Sequence, residues 1–496
     1  MGFALGSGMF RSCSSAYFVG IKGTGACAFA ELLLAAGIKT RGSDVQEVFY
    51  TDAILRELGI PFHESFDRAH ISGDIDLVIH SAAYCEDSNE ELAEARRKSI
   101  PVASYPEALG AYSALFDSAG VAGVHGKTTT TAMCGCLMQA LALPAQILAG
   151  SAVANFGGRS TAILGDKYFI AETCEYRRHF LAFRPRRVIL TSVESDHQDF
   201  FPTYESIREA FVEYCRLIAP GGSLIYCADD QGAREVAGAI ESERRDVGLV
   251  PYGFSAPGGY GIASYQTRRS AGGVGAAFRI RAFPGELSLR VPGRHQAQNA
   301  AAALALSELL LKSEFGRGWN AETRGEAGKA LEGFAGSKRR SEIIGEAGGI
   351  VFMDDYGHHP TAIRATLEGL RDFYPSRRIV ASFMPHTFTR TSALLDEFAD
   401  ALSGADALFL HKVYASAREG SGGRANGMSI YEKIESLRGE KPLPILRYAE
   451  EPEEAFGPLT EMLRPGDLFL TLGAGSNWPL GARLFEHYRG LGGAPP

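Results

Sequence analysis

The feature that most constrains this chain is the stretch VAGVHGKTTTT at residues 121–131, where an apolar run leads into a glycine turn and then a helix. Gly123 and Gly126 let backbone N–H groups approach an anion, and a helix that begins near Lys127 points its positive dipole end at the same place. The stretch therefore predicts an ATP-binding loop, with Lys127 on the β- and γ-phosphates and the Thr128 hydroxyl on Mg²⁺. The spacing is shorter than in the usual Walker A motif, so an ordinary strand–helix junction is the alternative.

Length and composition set the broad class. A chain of 496 residues predicts about three domains at roughly 150 residues each. The formal charge of −8 offers no basic surface, so no nucleic-acid partner is expected. The eight cysteines all fall in the first half without C-x-x-C spacing, which favours reduced thiols. No uncharged run reaches the roughly 18 residues of a membrane span, and no signal-peptide core is present. A soluble, cytoplasmic protein without membrane insertion is expected.

The beginning of the chain predicts a second nucleotide-binding unit. An apolar strand at residues 16–20 is followed by a glycine turn and a helix at residues 26–36. The turn contains Gly20, Gly23 and Gly25. The run G-S-D, which ends at Asp44, follows about 20 residues later, where an acidic residue would bind a ribose. Strands and helices alternate to about residue 110, which predicts a Rossmann-like domain. His80, at a later strand end, is either a ligand contact or an ordinary strand-end histidine.

Two further apolar runs, at residues 167–171 and 187–193, are predicted strands that follow the ATP loop. The first ends at Glu172, and the second leads into the acidic run E-S-D-H-Q-D, which contains His197. Open α/β sheets bind ligands at the carboxyl ends of their strands. Nucleotide-bound Mg²⁺ prefers carboxylate oxygens, whereas it binds histidine less often. These residues therefore predict a metal site beside the loop, with a solvated loop as the alternative.

The last third of the chain repeats the α/β pattern. A glycine- and charge-rich stretch at residues 314–338 predicts a boundary near residue 335. Four strands and four helices follow, including a helix at about 391–402. The first of these strands ends in D-D-Y-G-H-H-P, and the second ends in P-H-T-F-T-R. Ionisable side chains at successive strand ends are unfavourable unless a polar ligand meets them, so we expect a site at this sheet edge.

Taken together, these motifs resemble those of the Mur ligases. The series runs G-x-x-G-x-G with G-S-D, G-V-H-G-K-T-T-T-T-A-M, E-S-D-H-Q-D, G-R-H-Q-A-Q-N-A-A-A-A, S-K-R-R, D-D-Y-G-H-H-P-T and P-H-T-F-T-R-T. It spans essentially the whole chain. The resemblance implies an α/β protein of three domains. These are a Rossmann-like UDP-sugar-binding domain (1–112), a central P-loop ATP-binding domain (113–334) and a Rossmann-like C-terminal domain (335–496) that closes on ATP and an amino acid.

The resemblance also implies an activity. ATP phosphorylates the carboxylate of UDP-N-acetylmuramate, and the amine of L-alanine attacks the acyl phosphate to give an amide, ADP and phosphate. Such a ligase serves peptidoglycan synthesis, and hence cell-wall biogenesis, cell shape and cell division. It uses ATP and Mg²⁺, with Mn²⁺ as a possible substitute, and is a monomer or a homodimer. The alternatives are a ligase that attaches a peptide to UDP-N-acetylmuramate in cell-wall recycling and a non-catalytic nucleotide sensor on the same fold.

By matching position, the resemblance implies roles for individual residues. The catalytic residues would be Lys127, Glu172, His197, His358 and Arg390. The ATP contacts would be Gly123, His125, Gly126, Lys127, Thr128, Thr129, Asn299, Arg340, Asp354 and Asp355. The UDP-sugar contacts would be Gly20, Gly23, Gly25, Ser43, Asp44, His80 and Ser81. The amino-acid contacts would be Tyr356, His386 and Arg390, and the metal ligands would be Thr128, Glu172 and His197.

Some positions depart from the family pattern. Lys22 stands where the family usually has glycine, and Val124 stands where it usually has threonine. The run E-T-C-E-Y at residues 172–176 replaces a more acidic one. Thr387 replaces the first of two arginines that the family places near the amino acid, so only Arg390 remains. The identity of the amino acid is therefore the least constrained part of the resemblance.

Overall fold

Three β-sheets follow one another along the chain in the computed structural model, which describes residues 8–270, 273–415, 425–437 and 445–491. The sheets have five, ten and six strands, and most neighbouring strands are parallel. The α/β fold class is therefore confirmed. Residues 1–7 of the predicted first domain lie outside the described residues. No helix in these ranges is long and apolar enough to cross a membrane.

The first sheet is entirely parallel. Its strands are β1 (Ser15–Val19), β2 (Lys39–Ser43), β3 (Phe62–His63), β4 (Leu77–His80) and β5 (Val102–Ser104), and its helices are α1 (Thr24–Ala35), α2 (Tyr50–Glu57), α3 (Glu90–Arg97) and α4 (Tyr105–Ser113). The strand order is β3-β2-β1-β4-β5. All five residues of β1 are buried, because apolar clusters cover both faces of the sheet. The glycine turn after β1 thus lies at the carboxyl edge of a Rossmann-like sheet.

The second sheet carries the predicted ATP loop. Its strands are β6 (Asp117–Ala122), β7 (Ala145–Val153), β8 (Arg159–Ile163), β9 (Tyr168–Glu172), β10 (Arg187–Leu190), β11 (Ser223–Cys227), β12 (Gly248–Gly253), β13 (Tyr260–Ser270), β14 (Gly273–Ile280) and β15 (Phe283–Leu289). Its helices are α5 (Lys127–Ala140), α6 (Tyr204–Arg216), α7 (Gln231–Glu243), α8 (Arg294–Phe315) and α9 (Ala321–Glu332). The order is β15-β14-β13-β12-β11-β10-β6-β9-β7-β8.

The register of the second sheet places the predicted site residues together. Strand β6 lies between β10 and β9 and is parallel to both, with Ala122 opposite Leu190 and Val121 opposite Glu172. The carboxyl ends of the three strands therefore meet at one edge. Helix α8 packs against α5 behind that edge, and its run of buried alanines allows the two backbones to approach closely.

The third sheet has the order β16-β17-β21-β18-β19-β20. Its strands are β16 (Glu342–Ala347), β17 (Ile350–Asp355), β18 (Arg378–Phe383), β19 (Ala407–Leu410), β20 (Ile445–Tyr448) and β21 (Asp467–Leu472). Its helices are α10 (Pro360–Phe373), α11 (Phe388–Ala393), α12 (Leu395–Leu402), α13 (Gly427–Ser436), α14 (Phe456–Met462) and α15 (Trp478–Leu491). Strand β16 is antiparallel to β17, and the other pairs are parallel.

The apolar cores divide the molecule unequally. One continuous cluster runs through the first two sheets, whereas the third sheet has its own cluster on each face. The C-terminal sheet therefore has apolar clusters of its own, while Phe373 of α10 packs into the cluster of the first two sheets and Arg390 forms an ion pair with the central sheet. This division suits a domain that moves relative to the ATP loop.

Helix α9 lies within the glycine- and charge-rich stretch at residues 314–338, and the Asn320 side chain caps it by accepting a hydrogen bond from Thr323 N at 2.9 Å. The domain boundary near residue 335 stays a prediction. The single helix predicted at about 391–402 was wrong, because the structure has two helices there, α11 and α12, which are separated at Leu394.

Candidate active site

The loop between β6 and α5 has the backbone conformation that the sequence predicts. Gly123 and Gly126 have φ angles of +134° and +79°, which only glycine adopts readily. An added Cβ at Gly126 would lie 2.8 Å from the Asn299 Oδ1, and one at Gly123 would lie 2.1 Å from the Thr191 Oγ1. Both positions thus require glycine for space as well as for conformation, as expected of a loop that closes on phosphates.

Lys127 is the first residue of α5, and its ammonium group faces a carboxylate. The Nζ atom lies 3.0 Å and 3.2 Å from the two carboxylate oxygens of Glu175, and it also donates to the Gly123 carbonyl. Burial alone would lower the pKa of Lys127, but Glu175 and Glu172 outweigh it and raise that pKa. Lys127 is therefore a fixed cation inside the site. The sequence analysis did not assign Glu175, although it lies in the departing run E-T-C-E-Y.

The predicted metal ligands form two adjacent groups. The Thr128 hydroxyl donates to the Glu172 Oε2 at 2.7 Å, so these two side chains point at the same place. The His197 Nε2 lies 3.4 Å from the Glu175 Oε1, so it contacts Glu175 rather than Glu172. A hydroxyl and two carboxylates supply the oxygen donors that a hard dication requires. The residues present therefore fit a nucleotide-bound Mg²⁺.

The two aspartates that end β17 are in different environments. The Asp355 carboxylate accepts hydrogen bonds from Ser341 N and Gly357 N, both at 2.7 Å, and Asp355 lines the cavity described below. The Asp354 carboxylate accepts from the Arg339 Nε at 2.9 Å, and burial raises its pKa. Successive residues of a strand point to opposite faces, so Asp354 lies behind the cavity. Asp355 therefore lines the cavity while Asp354 pairs with Arg339, and the contact of both aspartates with ATP stays a prediction.

Arg340 lines the same cavity, as predicted for an ATP contact. Its guanidinium lies 5.0 Å from the centre of the Tyr356 ring, and that of Arg339 lies 5.2 Å from the same ring. Such cation–π contacts hold a guanidinium in place without neutralising it. Among the described residues no carboxylate pairs with Arg340, so its positive charge can meet an anionic ligand.

Arg390 forms a buried ion pair that the sequence did not predict. Its side chain is only 3% exposed, and its Nε and Nη2 lie 2.8 Å and 2.7 Å from the Asp196 Oδ1. Asp196 follows β10, so this ion pair joins the central sheet to the C-terminal sheet. Arg390 also donates to the His386 carbonyl at 3.1 Å. The contact of Arg390 with an amino-acid carboxylate stays a prediction: in this structure Asp196 pairs with the guanidinium, so an incoming carboxylate would compete with Asp196 for it.

His358 lies next to this ion pair. Burial and the Arg390 guanidinium hold the pKa of His358 well below its usual range, so the imidazole is neutral. Its Nδ1 lies 3.0 Å from the Tyr356 carbonyl, which is an acceptor, so Nδ1 carries the hydrogen. The Nε2 atom therefore keeps a lone pair that can accept a proton.

The predicted UDP-sugar residues gather at the carboxyl edge of the first sheet, apart from the cavity. Gly20, with φ of +89°, donates from its N–H to the Ser43 carbonyl at 2.9 Å. The Asp44 carboxylate accepts from Lys22 N at 2.7 Å. His80 Nδ1 lies 3.1 Å from the carbonyl of Ser81. These residues close the glycine turn onto the ends of β2 and β4.

Ser43 is the buried member of this group. Its side chain is fully buried, and its hydroxyl donates to Glu91. In this structure the hydroxyl therefore holds the end of β2, and the contact of Ser43 with the UDP-sugar stays a prediction. Lys22, the departure from the family pattern, is also buried and pairs with Asp52 at 3.1 Å and Glu64 at 3.0 Å. Its ammonium group is directed away from the turn, so the substitution adds no cation to it.

One cavity of about 500 Å³ lies between the second and third sheets. All five predicted catalytic residues line it, and so do His125, Gly126, Thr128, Thr129, Asn299, Asp355, Tyr356 and His386. Sequence reasoning missed other polar residues on its wall, notably Glu175, Asp196, Glu194 and His359. Each belongs to a motif that the sequence analysis singled out, but the partner of each is distant in sequence.

Comparison with known proteins identifies the family. Models of three Mur ligase domains match the chain: the catalytic domain at residues 15–117, the middle domain at 121–307 and the glutamate ligase domain at 339–475. A protein of Treponema pallidum (strain Nichols) named UDP-N-acetylmuramate–L-alanine ligase is 47% identical over 475 residues, which cover 95% of this chain and 96% of that protein. The chain belongs to the Mur ligase family.

Further Mur ligases agree with this assignment. The UDP-N-acetylmuramate–L-alanine ligase of Borreliella burgdorferi is 36% identical, over 95% of this chain and 98% of that protein. The solved UDP-N-acetylmuramate–alanine ligase of Thermotoga maritima superposes with a TM-score of 0.76 at 25% identity, over 96% of this chain and 99% of that one. A murein peptide ligase from Psychrobacter arcticus shares the fold, with a TM-score of 0.63 at 22% identity.

Proposed function

We propose that this Mur ligase joins L-alanine to UDP-N-acetylmuramate through an acyl phosphate, with conversion of ATP to ADP and phosphate, during peptidoglycan precursor synthesis in the cytoplasm. The observation that carries the proposal is the single cavity in which the phosphate loop, the oxygen donors and the C-terminal histidines meet. The relatives named for this activity cover nearly the whole chain and support the same conclusion.

Phosphoryl transfer requires positioning and charge neutralisation more than a nucleophilic side chain. Lys127 and Arg340 supply two cations on opposite walls of the cavity. Thr128 and Glu172, together with His197, would hold Mg²⁺, for which Mn²⁺ is the expected substitute. A bound Mg²⁺ would neutralise charge on the transferred phosphate. In the absence of ATP, Glu175 neutralises Lys127, so an incoming phosphate competes with Glu175 for this cation.

The second step requires an amine without its extra proton. We propose that the Nε2 of His358 accepts this proton, because its Nδ1 is directed at the Tyr356 carbonyl and its Nε2 keeps a lone pair. The amine then attacks the acyl phosphate, the amide bond forms and phosphate leaves. His386 lies next to His358, with 6.1 Å between ring centres, on the side of the cavity assigned to the amino acid.

A product assay tests the proposed function. The protein is incubated with UDP-N-acetylmuramate, ATP, Mg²⁺ and either L-alanine, other amino acids or a tripeptide, and the products are read by mass spectrometry. We expect the mass of UDP-N-acetylmuramoyl-L-alanine, together with ADP. A product formed only with the tripeptide would favour the recycling ligase, and nucleotide binding without any product would favour the sensor.

His197→Asn tests the proposed metal role. His197 has φ of +54°, and asparagine tolerates this conformation better than alanine does. We expect kcat to fall about 10- to 100-fold, with partial recovery at raised Mg²⁺, because a weakened ligand set requires more metal. Steady-state rates across a Mg²⁺ titration measure the effect. A lower melting temperature without any response to Mg²⁺ would indicate a structural role instead.

Closure of the cleft is a separate prediction. The UDP-sugar residues lie on the first sheet, whereas His358 and Arg340 lie on the far wall of the cavity, so no single sheet holds a complete site. An ATP analogue and UDP-N-acetylmuramate together should reduce the radius of gyration in solution scattering, with a smaller change for either alone. Identical scattering curves with and without both ligands would contradict closure.

A further inference from the structure

Three side chains of types that bind metal ions meet on the wall of the cavity. The proposed reaction assigns no role to this cluster. His125 comes from the ATP loop, Glu194 follows β10, and His359 precedes α10 on the C-terminal sheet. The His125 Nε2 and the His359 Nδ1 each lie 3.7 Å from a Glu194 carboxylate oxygen. One ligand atom from each of the three lies within 4.8 Å of the others. The group therefore spans the boundary between the central and C-terminal sheets.

The ring nitrogens of this group are available to a ligand. The His125 Nε2 is buried and has no hydrogen-bond partner among the described residues. The His359 Nε2 lies 3.3 Å from the Ser195 carbonyl, so Nε2 carries the hydrogen and Nδ1 keeps its lone pair. A metal ion would replace a long hydrogen bond of 3.3 Å that Thr361 N donates to this Nδ1. A carbonyl that fixes the tautomer of a histidine is typical of metal-binding imidazoles.

The charge states are those that bind a metal. Burial alone would raise the pKa of Glu194, but the neighbouring His125 and His359 imidazoles and the hydrogen bond from the Thr361 hydroxyl lower it to about 2. Burial and the neighbouring His125 lower the pKa of His359 to about 4. At neutral pH Glu194 is therefore ionised and His359 is neutral. The Thr361 hydroxyl donates to the Glu194 Oε2 at 2.7 Å and orients the carboxylate.

Two imidazoles and one carboxylate form a ligand set that Zn²⁺ uses, with a fourth position left for water. Zinc binds such atoms at about 2.0–2.2 Å, which places two tetrahedral ligands about 3.3 Å apart. The two separations of 3.7 Å are too long for hydrogen bonds and involve different oxygens of Glu194. The three ligand atoms lie within 4.8 Å of one another, so they must approach by up to about 1.5 Å to accommodate the ion. Magnesium prefers oxygen donors, so this group differs in chemistry from Thr128 and Glu172.

We propose that His125, Glu194 and His359 form a site for a transition-metal dication such as Zn²⁺, distinct from the Mg²⁺ site, that joins the ATP loop to α10. An ion bound there links the central sheet to the C-terminal sheet. It holds the cleft in the closed arrangement and slows turnover, because product release requires the two sheets to separate.

Cobalt(II) is the probe that tests the site, because its visible absorption reports tetrahedral coordination by nitrogen and oxygen. The full-length protein is titrated with Co²⁺ without nucleotide, in excess Mg²⁺ that occupies oxygen-rich sites. We expect one equivalent to give a visible band that one equivalent of Zn²⁺ removes. His359→Asn and Glu194→Gln should each weaken Co²⁺ binding about 100-fold or more, since each removes one of three ligands.

Both variants retain the local structure. Asparagine is a preferred residue at helix N-termini, so His359→Asn still caps α10, and glutamine still accepts the Thr361 hydroxyl. The matched control is His197→Asn, which alters the proposed Mg²⁺ ligand set and should leave the Co²⁺ band unchanged. These measurements use no substrate, so they do not depend on the ligase activity.

Scattering and kinetics supply the second readout. Zn²⁺ alone should reduce the radius of gyration of the wild-type protein but not of His359→Asn. Micromolar Zn²⁺ should inhibit wild-type turnover in excess Mg²⁺, and His359→Asn should be at least about 10-fold less sensitive. The proposal is overturned if both variants bind Co²⁺ as tightly as the wild type does, or if His197→Asn alone abolishes the band.

Discussion

Lys127→Met should lower kcat by at least about 100-fold while UDP-N-acetylmuramate still binds. A fixed cation that faces the transferred phosphate contributes mainly when charge develops in the transition state, and loss of one such group typically reduces kcat by about 100- to 1,000-fold. Lys127 meets this description because it is half-buried in the cavity, is held by Glu175 and begins the helix of the glycine loop. Steady-state kinetics and a separate measurement of sugar-nucleotide binding check the two halves of the prediction.

The substitution also leaves Glu175 without its nearest cation, so its effect on folding must be separated from its effect on catalysis. Lys127→Met/Glu175→Gln removes both charges and should restore the melting temperature without restoring kcat. Lys167→Met is the matched control, because this lysine forms an exposed pair with Glu314 away from the cavity. A near-normal kcat for Lys127→Met would contradict the assignment of residues 121–131 as the ATP-binding loop.

Arg390→Ala should raise the KM for L-alanine roughly 10- to 100-fold and lower the free energy of unfolding by about 3 kcal/mol. The first effect corresponds to loss of a charge-assisted hydrogen bond to the amino-acid carboxylate, about 1.5–3 kcal/mol. The second follows because Asp196 would remain as a buried, unpaired carboxylate, which typically costs about 3–5 kcal/mol. Kinetics with L-alanine and ATP varied separately, together with denaturant unfolding, measure both.

A double variant separates the two roles of Arg390. Arg390→Ala/Asp196→Asn removes the unpaired charge and should recover most of the stability, while the KM for L-alanine stays high. Arg364→Ala is the control, because Arg364 on α10 forms an exposed pair with Asp400 on α12, and such surface pairs contribute little. If the double variant recovers a normal KM for L-alanine, Arg390 serves only to join the sheets, and another group binds the carboxylate.

Much of this protein follows from local sequence. The glycines of the ATP loop adopt left-handed conformations that a side chain would oppose, so their spacing alone predicts the turn before α5. Apolar runs that end in acidic or histidine residues predict parallel strands with a ligand at their carboxyl edge, because the two faces of such a sheet are covered by helices. The turn before α5 and the parallel strands each depend on residues that are close in sequence, so both could be predicted from the sequence.

Only the tertiary structure decided which of these side chains face the cavity and which pair with other protein groups. Arg390 and Asp196 are 194 residues apart, and only the approach of two sheets pairs them. Asp354 and Asp355 are equivalent in sequence, but the face of β17 that meets the cavity selects Asp355. The Ser43 hydroxyl donates to Glu91, a residue that is distant in sequence and comes close only in the folded protein. Sequence thus determined the residues at each strand end, whereas packing between distant segments determined their partners, because charges are neutralised in space and not along the chain.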